Sequence, residues 1–110
     1  MRVLIKNAIE FFESGKDNLE KRRYNASVSD FFKSIVVFCD YLIYEKTRIL
    51  PKNHRQRFKI LENYFEEIHK KVQSLFEDYI KSYNLSSTKK EAEELKKYAN
   101  ELKNIIGNKK

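Results

Sequence analysis

Five basic residues fall within ten positions of one another: Arg48, Lys52, His54, Arg55 and Arg57, on either side of Pro51. Asn53, with Gln56 three residues on, reads as the capping box that opens a helix. Lys52, His54, Arg55 and Arg57 therefore crowd a helix N-terminus. Cations there oppose the helix macrodipole by roughly 0.3–1 kcal/mol each. The same terminus offers free backbone N–H groups, which favour an anion. Arg48, Arg55 and Arg57 could join those groups in holding a phosphate or an acidic side chain. The plainer alternative is that the long side chains splay into water or pair with acids such as Glu45 and Glu62.

Other reactive residue types are scattered. Lys21, Arg22 and Arg23 form a second basic cluster at the end of a helix, where they suit the macrodipole. His69 lies off the apolar stripe beside Lys70 and Lys71 and reads as an exposed helix residue. Tyr24, Tyr41, Tyr44, Tyr64, Tyr79, Tyr83 and Tyr98 could stack nucleobases, but such residues more often sit at core margins with the hydroxyl wet. Cys39 stands among Val36, Phe38, Leu42 and Ile43, as a small core residue would, and a free thiol fits a reducing cytoplasm. Asp40 either faces water or is a buried acid with a partner such as a tyrosine hydroxyl or a lysine. Carboxylates and histidines show no metal-ligand spacing, so no metal is expected.

What must position these residues is a set of helices. The chain has 110 residues, 41% hydrophobic and 35% charged, with two Gly, one Pro and one Cys. That is one domain over residues 1–110, too apolar for a disordered chain. Two Gly and one Pro cannot supply the turns of a many-stranded sandwich, nor Walker or Rossmann loops, and no cofactor is expected. The net charge of +7 suits acidic partners, although lysines interleaved with glutamates also describe a solvated helical surface. No stretch approaches the roughly 20 apolar residues of a membrane span. Arg2, Lys6 and Asn7 interrupt the N-terminus, which does not read as a signal peptide.

Apolar spacing predicts the helices. Ile5, Ala8, Phe12, Gly15 and Leu19 make one stripe over Val3 to Arg22. Gly15 on that stripe predicts a neighbour that needs close approach. Val28, Phe32, Ile35, Cys39 and Leu42 make the next, over Asn25 to Lys46, widened by Phe31, Val36, Phe38 and Ile43 into a central helix. From Phe58 a stripe runs through Leu61, Phe65, Ile68, Val72, Leu75 and Tyr79. As one helix from His54 to Tyr83 it would span about 45 Å, against about 30 Å for each of the first two. A break near Glu66 to Lys70 is therefore expected. Asn84 to Ser87 reads as a loop, and Thr88 with Glu91 as a second capping box. Ala92, Leu95, Ala99, Leu102 and Ile106 form the last stripe, Gly107 is expected to stop it, and residues 108–110 to fray.

The resemblance to a known family lies in the order of these segments. Tyr24-Asn25-Ala26-Ser27-Val28-Ser29-Asp30-Phe31-Phe32 opens an apolar helix after a charged one. A Pro-Lys-Asn-His turn and Arg55-Gln56-Arg57-Phe58 follow, then Phe76-Glu77-Asp78-Tyr79-Ile80-Lys81-Ser82-Tyr83 and a Glu-Ala-Glu-Glu-Leu start to the last helix. This order resembles the HEPN family (higher eukaryotes and prokaryotes nucleotide-binding domains) from about Val3 to Ile106. The resemblance implies a small helical bundle that dimerises. Its members include metal-independent ribonucleases with an Arg, four to six residues, then a His, and non-catalytic partners of small nucleotidyltransferases in toxin–antitoxin modules. Arg48 and His54 match that spacing once. The family's motif lies later in the chain, where Tyr79, Lys81 and Tyr83 stand without a histidine.

The expected fold is an all-α, antiparallel up-and-down bundle of four or five helices. Phe12, Phe32, Ile35, Cys39, Leu42, Leu61, Phe65, Leu75, Leu95 and Leu102 are expected in its core. Val37, Tyr41 and Tyr44 extend the apolar surface of the second helix and predict a homodimer. The expected function is a non-catalytic binding module for a nucleotide, RNA or a protein such as a nucleotidyltransferase, acting through Arg48, Lys52, His54, Arg55 and Arg57. The alternatives are a ribonuclease using Arg48 and His54, and a structural adaptor.

Overall fold

A computed structural model describes residues 1–108. They form five helices: α1 (Arg2–Glu20), α2 (Tyr24–Thr47), α3 (His54–Tyr64), α4 (Glu66–Lys81) and α5 (Lys89–Asn108), with no strand among the described residues. The expected frayed tail falls partly on residues 109–110, outside the description. Asn108 is helical, and Gly107 lies inside α5 rather than ending it.

The longest and most apolar helix, α2, is central. Small residues seven apart let α1 lie close against it, antiparallel. The Ser27 hydroxyl donates to the Gly15 carbonyl (2.9 Å) and the Ser34 hydroxyl to the Ala8 carbonyl (2.7 Å). Gly15 is needed here. A Cβ in its place would stand 2.6 Å from two ring carbons of Phe31. α4 runs antiparallel to α2, with Phe76 and Tyr79 against Phe32 and Ser82 at Asn25. α5 starts at the same end as α2, where Asn25 accepts from the Ser87 N–H (2.6 Å). Thus α1, α2, α4 and α5 run down, up, down and up, the all-α bundle expected. Nine of the ten expected core residues are buried. Phe65 is only partly so.

Phe65 is itself the break. Its backbone (φ −141°, ψ 63°) leaves the helical region for one residue, between Tyr64 and Glu66. It still donates to Leu61 and accepts from His69, so little hydrogen bonding is lost. Glu66 and Glu67 then open α4 with charge that suits its dipole. Both capping boxes form. Asn53 Oδ1 accepts from the Gln56 N–H (2.9 Å), and Thr88 Oγ1 from the Glu91 N–H (3.1 Å).

Candidate functional site

The basic turn begins at Arg48, which ends α2 in the left-handed conformation (φ 62°), its N–H donating to the Tyr44 carbonyl. Its guanidinium lies outside, 3.5 Å from Glu45 and 5.4 Å from the Tyr44 ring centroid. Residues 48–53 then turn the chain back along α2. His54 sits beside Phe32, well inside the span of α2, with ring centroids 6.3 Å apart. Lys52 and Arg55 are exposed, and neither has a carboxylate within ion-pair distance among the described residues.

Arg57 points the other way. It is 8% exposed and closes on Asp40, 9% exposed, through a two-pronged pair. Its Nε–H donates to Asp40 Oδ1 at 2.6 Å and its Nη2–H to Oδ2 at 3.0 Å. This is the partner Asp40 needed: an arginine, not a tyrosine or a lysine. A buried carboxylate without a cation is costly, and the planar guanidinium satisfies both its oxygens. The third prong of Arg57, Nη1–H, reaches His54 Nδ1 at 2.9 Å.

That contact fixes the chemistry of His54. A guanidinium only donates, so Nδ1 is the acceptor and the proton of the neutral ring is on Nε2. Burial and the Arg57 charge hold the imidazole below its ordinary value of 6.5, against the opposing pull of Asp40. The ring is further held by Phe58 (6.0 Å) and Phe76 (5.3 Å). At neutral pH, His54 is a fixed hydrogen-bond donor rather than a base.

Two of the five expected site residues, His54 and Arg57, are thus joined in a buried-to-surface line, Asp40–Arg57–His54. Lys52 and Arg55 stand beside its outer end. Arg48 is held separately, by Glu45 and Tyr44, and no hydrogen bond links it to His54 among the described residues. Arg22 and Arg23 lie at the start of α2, lining a cleft with Asn25, Ser86 and Ser87. A 24-residue helix puts them about 36 Å from Arg48.

The family model of the HEPN domain matches residues 1–109. The chain belongs to the HEPN family. No curated protein and no solved structure matches it. Within this HEPN chain the sequence left Asp40 as either solvent-facing or a buried acid, and it was Arg57 as its partner that went unforeseen, although a signal existed. Arg57 stands four residues before Leu61, a spacing that puts both on the buried face of α3. The aromatic neighbours of His54 come from α2, α3 and α4 together, and spacing within one helix does not reveal them. Among the described residues no helix is long and apolar enough to cross a membrane. Cys39 is fully buried, and burial pushes its thiol far up, which keeps it protonated and unreactive.

Proposed function

We propose that this HEPN chain is a non-catalytic binding module that takes RNA or a nucleotide by its phosphates at the turn from Arg48 to Arg55. The observation that carries this is the Arg57–His54 hydrogen bond. It occupies the one imidazole lone pair that a general base would use, and the neighbouring cation disfavours the imidazolium that a general acid would need. A ribonuclease built on Arg48 and His54 would have to release Arg57 first, and Arg57 is held by Asp40. What is left exposed is suited to binding: the cations Lys52 and Arg55, and His54 beside them. Arg57 serves this site from behind, orienting His54, and contributes no donor to the outer ligand.

The test is equilibrium binding of a labelled single-stranded RNA across a salt series. Each phosphate contact adds about 0.7 to the slope of log K against log salt for a single strand. Lys52→Glu with Arg55→Glu changes only exposed groups, so the fold survives and binding falls with a shallower slope. Unchanged affinity in that variant refutes the site. The homodimer belongs to the same proposal, through Val37, Tyr41 and Tyr44, which stand half-buried along α2. Sedimentation at tens of micromolar tests it, and a monomer alone rejects it.

A further inference from the structure

A run of aromatic rings leads from the basic turn along α4. His54 lies 5.3 Å from Phe76, Phe76 lies 6.1 Å from Tyr79, and Tyr79 lies 5.4 Å from Tyr83, centroid to centroid. Phe32 backs the run from α2, stacked on Tyr79 at 4.6 Å with the planes 15° apart. The inner rings are packed. The two ends are open: His54 is exposed, and Tyr83 is 67% exposed.

Tyr83 is held rather than loose. Its hydroxyl is hydrogen-bonded to that of Tyr79 at 2.5 Å. The two rings meet edge to face, at 68°, which leaves at least one face of Tyr83 free. Its backbone belongs to a turn fixed from α2, where Asn25 Nδ2 donates to the carbonyls of Ser82 (3.1 Å) and Leu85 (3.2 Å). A ring fixed in place loses little freedom when another ring stacks on it. Lys52 and Arg55 bring exposed positive charge to the His54 end.

We propose that His54 and Tyr83 are the two ends of a stacking ledge for unpaired bases of single-stranded nucleic acid. The proposal rests on the reading that the basic turn holds phosphates, and it adds which residues meet the bases. Aromatic rings next to cations match a strand of alternating flat bases and phosphates. Every base has a π-face, so such a ledge is tolerant of sequence. A duplex keeps its bases stacked on one another and cannot use it. His54 also presents Nε2–H, a donor for a base carbonyl or a phosphate oxygen.

The experiment measures binding of three labelled hexamers to the full chain at one low salt concentration. They are hexauridylate, its deoxy counterpart, and an abasic hexamer of equal charge. The wild type is expected to bind both base-bearing strands more tightly than the abasic one, and the tighter of the two identifies the preferred sugar. Tyr83→Ala should weaken the base-bearing strands about 5- to 150-fold and leave the abasic strand unchanged. Tyr83→Phe keeps the ring and should recover most of the affinity, short only of what the hydroxyl bond to Tyr79 contributes. Arg55→Glu should weaken all three strands together. Circular dichroism of each variant checks the fold, and Tyr83 is exposed enough for alanine to be tolerated. Equal binding of base-bearing and abasic strands, or an unchanged Tyr83→Ala, overturns the ledge and leaves the phosphate reading standing. No binding of any strand by the wild type overturns both.

Discussion

Removing the carboxylate of Asp40 leaves the Arg57 guanidinium buried without its counter-ion. The pair has two charge-assisted hydrogen bonds, at 2.6 and 3.0 Å, between side chains 13% and 9% exposed. Breaking such a pair from one side costs about 3–5 kcal/mol. That is a large part of the roughly 5–15 kcal/mol that holds a domain folded. With a urea m-value of about 2 kcal/mol/M, Asp40→Ala should lower the unfolding midpoint by about 2 M. Replacing both partners together, as Asp40→Leu with Arg57→Met, should restore most of the loss, because apolar side chains have no counter-ion to miss. The singles also differ in their effect on His54. Arg57→Met removes the cation that holds the imidazole down, so its titration by NMR should move up. The assay is urea denaturation followed by circular dichroism, with His54 titrated in the same samples. A single variant losing less than about 1 kcal/mol would refute the reasoning. So would a double variant as unstable as its parents.

Three further outcomes are expected. Gly15→Ala should destabilise by about 1–2 kcal/mol despite its better helix propensity, since the new methyl meets Phe31, whereas Gly107→Ala, with open space around it, should gain about 0.5 kcal/mol in the same denaturation experiment. Asn25→Ala removes three hydrogen bonds to the loop between α4 and α5, so the Ser87 amide should lose protection in hydrogen exchange while the core of α2 keeps it. His54 is held below 6.5 in the folded state, so between its folded and unfolded values the unfolded chain binds more protons. Its contribution to stability should therefore be constant above about pH 7 and fall as the pH drops through 6.5 and below. His54→Gln should remove that part of the pH dependence in urea midpoints. The comparison cancels Asp78, whose carboxyl is held above the usual range by burial and by Glu91 and works in the opposite direction.

The helices were legible because each carries its own period. The stripes of α1, α2 and α5 name their buried faces, and the caps Asn53 and Thr88 mark where two helices begin. A break followed from length alone, since a 45 Å helix would have outrun its neighbours, but it falls at Phe65, one residue before the expected Glu66 to Lys70. Gly107 misled because a glycine near the end of a chain looks like a stop, yet nothing at that position forces a positive φ. The site was legible only in part. The basic residues around Pro51 announced charge, but charge in a sequence has no direction. Arg57 turned inward because an acid waited on another helix, in Asp40, and Arg55 stayed out because none did. The ring cluster around His54 draws on three helices and exists only once they pack. Asn25, which pins the last loop from about sixty positions away, left no local trace.

The central claim is that the site around His54 binds without cutting. Its most direct test is a single sample of end-labelled single-stranded RNA incubated with the purified chain without added metal. One half is read by native electrophoresis for binding and the other by denaturing electrophoresis for strand length. The wild type should retain the RNA, release it as salt rises, and leave every strand intact, and His54→Ala should likewise leave it uncut. Strands cleaved by the wild type and spared by His54→Ala would contradict the account, because the imidazole locked to Arg57 would then be the base that the geometry says it is not.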